Sequence, residues 1–245
     1  MNNYYIGVFD SGIGGLTTLK EIQKILPNEN YIFYADSKNN PYGEKSIKEL
    51  HIIVKNIVDY LINKKVKLIV IACNTATTRL ISKLRKEYPN MIFIGTEPAI
   101  KVACDNNYKD ILVLGTPSTI KSKRTSKLIK DNLKDNQNIY LVPCEGLANA
   151  IENKNNPLIK ELLDKYLIPY QNKNIDSIVL GCTHYPIIKN KIKKYFNNVK
   201  IIDGNKGVAK QVKFQLRKNK LLNMNENKCK TIIINSKQIW MTTGS

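Results

Sequence analysis

The sequence predicts an α/β protein of two pseudo-symmetric, doubly wound domains with mostly parallel sheets and the active site in the cleft between them. Three observations carry this. Short apolar, β-rich runs alternate with helical periodicity along nearly the whole chain, the pattern of a parallel sheet with helices on both faces. Ile69-Val70-Ile71-Ala72-Cys73-Asn74-Thr75 matches Ile178-Val179-Leu180-Gly181-Cys182-Thr183-His184 at an offset of 109 residues. Ile6-Gly7-Val8-Phe9-Asp10-Ser11-Gly12 echoes Ile111-Leu112-Val113-Leu114-Gly115-Thr116-Pro117 at an offset of 105. Two matches at nearly one offset suggest two related units, each offering one thiol to a shared cleft. Buried parallel strands look alike in any case, so the competing interpretation is that both cysteines merely pack.

The elements follow in order. Tyr5 to Phe9 reads as the first strand, and Leu16, Leu19, Ile22, Ile25 and Leu26 form one helical stripe that Pro27 closes. Tyr31 to Ala35 is a strand leading into the loop Asp36 to Gly43. A helix from about Ser46 to Asn63 carries Ile47, Leu50, Ile53, Val54, Ile57 and Leu61. Strand Leu68 to Ala72 delivers Cys73, a helix ends near Tyr88-Pro89, and strand Met91 to Gly95 reaches Thr96-Glu97-Pro98. The scheme then repeats. Ile111 to Leu114, Ile139 to Val142, Ser177 to Leu180 and Lys200 to Asp203 read as strands. Helices are expected over Thr119 to Asn132, around Leu147 to Glu152 and Leu158 to Tyr166, and over Ile187 to Phe196. A helix with Val208, Val212 and Leu216, then strands near Ile232 to Ile234 and Ile239 to Met241, return to the first unit. The expected domains are therefore 1–97 plus 204–245, and 98–203.

Composition narrows the function classes. With 42% apolar and 24% charged residues the chain can bury a substantial core. No apolar run approaches the roughly 20 residues that cross a bilayer, and Met1-Asn2-Asn3-Tyr4-Tyr5 lacks the pattern of a signal peptide, so the expectation is a cytoplasmic protein without a membrane partner. The net charge of +19 invites a nucleic-acid interpretation. The lysines, however, are spread along the chain, Lys, Asn and Ile are inflated together, and arginine, the usual base reader, is scarce. No specific nucleic-acid partner is expected. The five cysteines show no C-x-x-C pairing, and with only two histidines, His51 and His184, no metal site is expected. Cys104, Cys144 and Cys229 read as structural or incidental, and His51 as an exposed residue of an amphipathic helix.

The polar residues fall in a biased way. Asp10-Ser11, Tyr42-Gly43, Cys73-Asn74-Thr75, Thr116 and Cys182-Thr183-His184 all follow the carboxyl ends of expected strands, where open α/β sheets bind ligands. Asp10-Ser11-Gly12-Ile13-Gly14-Gly15 fails the dinucleotide pattern, because Thr17 stands at the third glycine position, and it lacks the Gly-Lys-Ser/Thr of a P-loop. It reads as a backbone cradle for a carboxylate, with Asp10 available for a cation or a proton, or else as a turn capped by Ser11. Cys73 opens a helix, where a thiol's pKa falls from about 8.5. His184, two residues after Cys182, is placed to tune or relay that thiol's proton. A Cys-His hydrolase would use the same residues with only one cysteine.

Val8-Phe9-Asp10-Ser11-Gly12-Ile13-Gly14-Gly15, Asn40-Pro41-Tyr42-Gly43, Ala72-Cys73-Asn74-Thr75-Ala76 and Leu180-Gly181-Cys182-Thr183-His184-Tyr185-Pro186 resemble the signatures of the glutamate racemases, within the aspartate/glutamate racemase family. They keep that family's order and spacing, and the similarity runs from Tyr5 to Gly244. The sister aspartate racemases share the paired cysteines but typically lack His-Tyr-Pro after the second. The resemblance implies cofactor-independent interconversion of L- and D-glutamate, supplying D-glutamate for peptidoglycan, by a homodimer. It makes Cys73 and Cys182 the catalytic thiols, with Asp10 and His184 assisting and Glu152 a further carboxylate of the site. Asp10, Ser11, Tyr42, Gly43, Asn74, Thr75, Thr116, Thr119, Thr183 and His184 match substrate contacts. Two departures stand out. Glu145-Gly146 follows Cys144 where the family usually has proline, and the family's short closing helix after Thr242-Thr243-Gly244 has no counterpart before the chain stops at Ser245. Alternatives are a racemase of aspartate or another amino acid, and a noncatalytic amino-acid-binding protein.

Overall fold

The computed structural model describes residues 4–224 and 229–237. The chain divides into two units, residues 1–96 with 205–245, and residues 97–204.

In the first unit β1 (Tyr5–Asp10) leads through a 3-10 turn into α1 (Leu16–Ile25). Then follow β2 (Asn30–Ala35), α2 (Ile47–Asn63), β3 (Val66–Ile71), α3 (Asn74–Glu87) and β4 (Phe93–Gly95). The second unit contains α4 (Ile100–Asp105), β5 (Asp110–Gly115), α5 (Pro117–Ile120), α6 (Lys123–Asn132), β6 (Asn138–Pro143), α7 (Leu147–Glu152), α8 (Asn156–Leu167), β7 (Ser177–Gly181), α9 (Lys189–Lys193) and β8 (Lys200–Asp203). The chain then adds α10 (Asn205–Lys218) and β9 (Thr231–Asn235) to the first unit.

The sheets have orders β4-β3-β1-β2-β9 and β6-β5-β7-β8, with every pairing parallel. Within each unit the first four strands in chain order take the same spatial order, second, first, third, fourth. The repeats also share a register. Phe9 lies opposite Ile71 and Leu114 opposite Leu180, so the two sequence offsets carry one strand pair onto the other.

Alternate side chains of the central strands enter different cores, as a period of two requires. Ile6 and Val8 pack with Leu68, Val70 and helix α10, whereas Phe9 joins Ile69, Ile71 and helix α2. In the second unit Leu112 and Leu114 face one core and Ile111 and Val113 the other. Burial on both faces is why these strands read as continuous apolar runs. Helix α2 starts where Ser46 Oγ accepts the Glu49 amide, and it buries Leu50, Val54, Ile57, Val58 and Leu61.

Three local readings of the sequence are corrected. The helix expected over Thr119 to Asn132 is two helices, because Ser122 Oγ accepts the Thr125 amide and starts a new one. That expected over Ile187 to Phe196 is a 3-10 turn, Tyr185–Ile188, followed by the short α9. His51 is not freely exposed: its Nε2 lies 2.8 Å from Glu87 Oε2 and its Nδ1 3.2 Å from Lys83 Nζ. The strand expected at Ile239 to Met241 and the Thr242-Thr243-Gly244 motif lie outside the described residues. Among those described, no helix is long and apolar enough to cross a membrane, and no group of three or more His, Cys, Asp or Glu residues is arranged to hold a metal ion.

A buried ion pair fastens the C-terminal run to the first sheet. Lys67 Nζ sits 2.5 Å from Glu29 Oε2, with both side chains almost fully buried. Lys67 also donates to the Leu221 carbonyl at 2.7 Å, and Glu29 Oε1 accepts the Asn223 amide at 2.8 Å. Removing one partner strands the other charge in the core. Lys67→Met is expected to lower stability in urea unfolding by about 3–5 kcal/mol, and the Lys67→Met/Glu29→Leu double variant to recover most of it. A single-variant loss below about 1 kcal/mol would show that the pair carries no such role.

Candidate functional site

In the first unit the site grows from the carboxyl ends of β1 and β3, neighbours at the point where the strand order reverses. The Ala72 amide donates to the Phe9 carbonyl at 2.9 Å, which sets Cys73 beside Asp10-Ser11. Cys73 is the N-cap of α3, and Asn74 and Thr75 form that helix's first turn. The helix end supplies positive potential around the thiol. Cys73 Sγ donates to Ser11 Oγ at 3.7 Å, and all four of these side chains are buried. Asp10 is fully buried and its Oδ2 accepts the Gly15 amide at 2.9 Å. Gly15 is needed there, since a Cβ would stand 2.6 Å from Asp10 Cβ and 3.0 Å from the Phe33 ring.

The loop after β2 covers this end of the sheet. The Asp36 amide donates to the Asp10 carbonyl at 2.9 Å. The buried Asp36 carboxylate accepts from Tyr42 Oη at 2.8 Å and from Asn39 Nδ2 at 2.9 and 3.0 Å. Burial, then the Asp36 charge and hydrogen bond, then Cys73 and Asp10, push the Tyr42 hydroxyl well above its ordinary range, so it stays a donor. Arg79 of α3 donates through Nη1 to the Tyr42 carbonyl at 3.2 Å. At the far side Asn74 Nδ2 donates to the Thr96 carbonyl at 3.4 Å, and the Thr96 amide donates to Thr77 Oγ1 at 3.1 Å.

The second unit presents the matching end of β5 and β7. Gly115 pairs with Gly181, so Thr116 and Cys182 are the next residues of adjacent strands. Thr116 Oγ1 accepts the Thr119 amide at 3.2 Å and donates to Thr119 Oγ1 at 3.0 Å, capping α5. Cys182 Sγ lies 3.8 Å from His184 Nδ1, and His184 Nε2 lies 2.7 Å from Glu152 Oε2. His184 is 1% and Glu152 6% exposed at the side chain, so the carboxylate and imidazole interact away from bulk water. In the tautomer whose Nε2–H donates to Glu152, Nδ1 faces the thiol as an acceptor. Thr183, between them in sequence, is buried.

The departure at Glu145-Gly146 has a structural use. Gly146 takes φ +76° and turns the chain into α7, whose last residue is Glu152. Such a backbone is ordinary for glycine and strained for most other residues.

Each unit thus gathers its own expected residues: Asp10, Ser11, Tyr42, Gly43, Cys73, Asn74 and Thr75 in one, Thr116, Thr119, Glu152, Cys182, Thr183 and His184 in the other. Sequence reasoning missed Asp36, Asn39 and Arg79, which hold the Tyr42 loop. It also missed the link between Cys144 and the site: the Cys144 carbonyl accepts from Tyr185 Oη at 3.3 Å, and Cys144 shares a core with Cys182. The polar side chains of the 36–42 loop, aligned with the Asp10 strand end, were the available signal.

The Asp/Glu/Hydantoin racemase family model matches residues 6–212. The chain is 41% identical to the glutamate racemase of Clostridium botulinum (strain Alaska E43 / Type E3), covering 96% of this chain and 92% of that one. It is 43% identical to the glutamate racemase of Clostridium novyi (strain NT), over 94% and 90%. Among solved structures it resembles the glutamate racemase isoform RacE1 of Bacillus anthracis, with TM-score 0.84, 31% identity and coverage of 96% and 90%. It also resembles the glutamate racemase of Francisella tularensis solved in complex with D-glutamate, with TM-score 0.79, 33% identity and coverage of 96% and 89%.

The Cys144 thiol offers a pH test of this core. Burial, with a smaller contribution from Cys182, pushes its pKa from 9.0 up to about 12. Below pH 9 the thiol is protonated whether folded or unfolded. From pH 9 toward 12 only the folded state keeps the proton, so stability falls by about 1.4 kcal/mol per pH unit. Cys144→Ala removes this dependence, so the stability gap between wild type and variant should narrow by about 2–3 kcal/mol from pH 9 to 11 in denaturant titrations. A constant gap would mean that the thiol is not shifted.

Proposed function

This chain belongs to the Asp/Glu/Hydantoin racemase family, and from that premise we propose that it interconverts L- and D-glutamate by a two-thiol mechanism without a cofactor. The observation that carries this reading is the equivalence of Cys73 and Cys182. Both follow the third strand of their sheet, and each has a polar partner at the sulfur, Ser11 Oγ or His184 Nδ1. A structural pair of cysteines has no need of either feature. The high identity to glutamate racemases across nearly the full chain supports glutamate as the substrate.

Inversion at the α-carbon needs a base on one face and an acid on the other. One thiolate removes the α-proton, and the other thiol protonates the opposite face of the resulting planar carbanion. The assignments exchange with direction, so each turnover leaves the two thiols with their protonation states swapped. For Cys182 the His184–Glu152 pair provides the proton acceptor: His184 Nδ1 takes the thiol proton, and Glu152 stabilises the imidazolium that forms. For Cys73, Ser11 and the α3 N-terminus stabilise the sulfur charge, with Asp10 fixed nearby by Gly15. An α-proton next to a carboxylate is weakly acidic, so donors aimed at the substrate carboxylates must stabilise the carbanion; Ser11, Asn74, Thr75, Thr183, Tyr42 and Gly43 are proposed for that work, with Thr116 and Thr119 as further donors. We further propose a cytoplasmic homodimer that supplies D-glutamate to peptidoglycan synthesis.

Racemisation of glutamate against aspartate, each with and without pyridoxal phosphate, tests substrate and cofactor together. Single thiol variants test the mechanism. Cys73→Ala and Cys182→Ala should each abolish racemisation in both directions. In deuterated water Cys182→Ala should retain slow α-proton exchange into D-glutamate only, and Cys73→Ala into L-glutamate only. Near wild-type interconversion by either variant would sink the two-thiol reading.

A further inference from the structure

Arg79 is a half-buried cation that makes no ion pair among the described residues. It lies one helical turn beyond Thr75 on the same face of α3, and long helical side chains lean back toward the helix N-terminus. That direction leads toward Cys73, Asn74 and Thr75. Its Nη1 reaches the Tyr42 carbonyl at 3.2 Å, so the guanidinium rests against the 40–43 turn. Burial lowers its pKa from the usual guanidinium value, in keeping with a desolvated position that lacks a counter-charge.

A second observation falls on the same turn. Asn40 Nδ2 is buried and has no hydrogen-bond partner. Buried donors are nearly always paired, and here one of the unpaired ones lies two residues from the residue that Arg79 holds. A guanidinium has five N–H donors, and only one contact is made to Tyr42. The turn is therefore rich in donors and positive charge that the protein itself does not satisfy. The nearby carboxylates, Asp10 and Asp36, are already held by Gly15, Asn39 and Tyr42.

We propose that Arg79, with Asn40, determines specificity for substrates bearing a second, distal carboxylate, by giving the Tyr42-Gly43 turn the charge that such a group needs. This deepens the function proposed above and rests on it. Asp10-Ser11 and Asn74-Thr75 flank the Cys73 thiol and so lie nearest the reacting carbon. The 40–43 turn arrives from β2, beyond β1, and takes the far end of the substrate. Arg79 acts mainly by positioning the turn and supplying its countercharge, so its loss weakens binding more than it slows proton transfer.

Steady-state kinetics with D-glutamate test this in wild type, Arg79→Gln, Arg79→Lys and Asn40→Leu. Arg79→Gln should raise KM about tenfold or more with kcat within about twofold, and Arg79→Lys should recover part of the loss. Asn40→Leu should raise KM by about threefold or more. Thermal unfolding of each variant shows whether it remains folded. A second measurement is independent of turnover: calorimetric titration of glutarate, with its two carboxylates, against butyrate, with one. Wild type should prefer glutarate, and Arg79→Gln should lose that preference while Arg79→Lys keeps part of it. If wild type fails to racemise glutamate, the proposed function falls, and the glutarate preference still judges Arg79. The inference is overturned if folded Arg79→Gln keeps the wild-type KM, if its kcat falls as much as its KM rises, or if wild type binds glutarate no better than butyrate.

Discussion

The chemistry of this chain depends on one backbone constraint, the parallel register between the first and third strands of each sheet. In the first unit it puts Ile71 opposite Phe9 and the Ala72 amide on the Phe9 carbonyl, so that Cys73 emerges beside Asp10-Ser11. In the second it puts Gly181 against Gly115, and Cys182 next to the strand end that carries Thr116. Both strands are buried on two faces, so a one-residue slip would turn every side chain into the wrong core. The apolar alternation that stabilises each sheet therefore also fixes where each thiol emerges. A functional group placed this way shares the rigidity of the core rather than that of a loop.

The same constraint explains how much of the fold could be read in the sequence. Two offsets, 105 and 109, were enough to reveal the repeat, and they reproduce the observed strand register because core strands leave little freedom in length. Loops and helices vary between the units, so the repeat fades away from the strands. The helix boundary at Ser122 was missed because the residues around it, Lys121-Ser122-Lys123, are equally compatible with a continuous helix until the serine side chain is seen capping Thr125. The C-terminal return to the first sheet was legible as an apolar run. Its fastening was not, because Lys67 reads as a surface lysine beside Val66 and shows itself as core only through Glu29.

The candidate site was legible where chemistry requires unusual residues and opaque where it requires ordinary ones. Cysteine after a strand, and histidine two positions later, stand out in any sequence. An aspartate and an asparagine in a loop do not, although Asp36 and Asn39 hold Tyr42 in place. Glu152 shows the intermediate case. Its position was inferable by resemblance, yet the altered loop before it put the path in question. The positive φ of Gly146 answers that locally: a left-handed residue starts α7 and brings the carboxylate to 2.7 Å from His184.

Charge accounts for the difference between the surroundings of the two cysteines. Around Cys182 the negative group, Glu152, is spent on His184, and the imidazole stands between carboxylate and sulfur. Around Cys73 two carboxylates, Asp10 and Asp36, are buried, one accepting the Gly15 amide and the other Asn39 and Tyr42, and their influence reaches Tyr42 together with that of the thiol. A site of that kind opposes both a thiolate and an anionic substrate unless positive potential is returned to it. The α3 N-terminus does so at the sulfur, through the positive end of the helix dipole. It acts over only the first turn, and the 40–43 turn lies on another element. Arg79 belongs to α3 but reaches that turn, so one helix serves both places, its backbone at the thiol and its guanidinium at the loop. That division leaves Asp10 and Asp36 to their hydrogen bonds with Gly15, Asn39 and Tyr42, while α3 returns positive potential to the region around them.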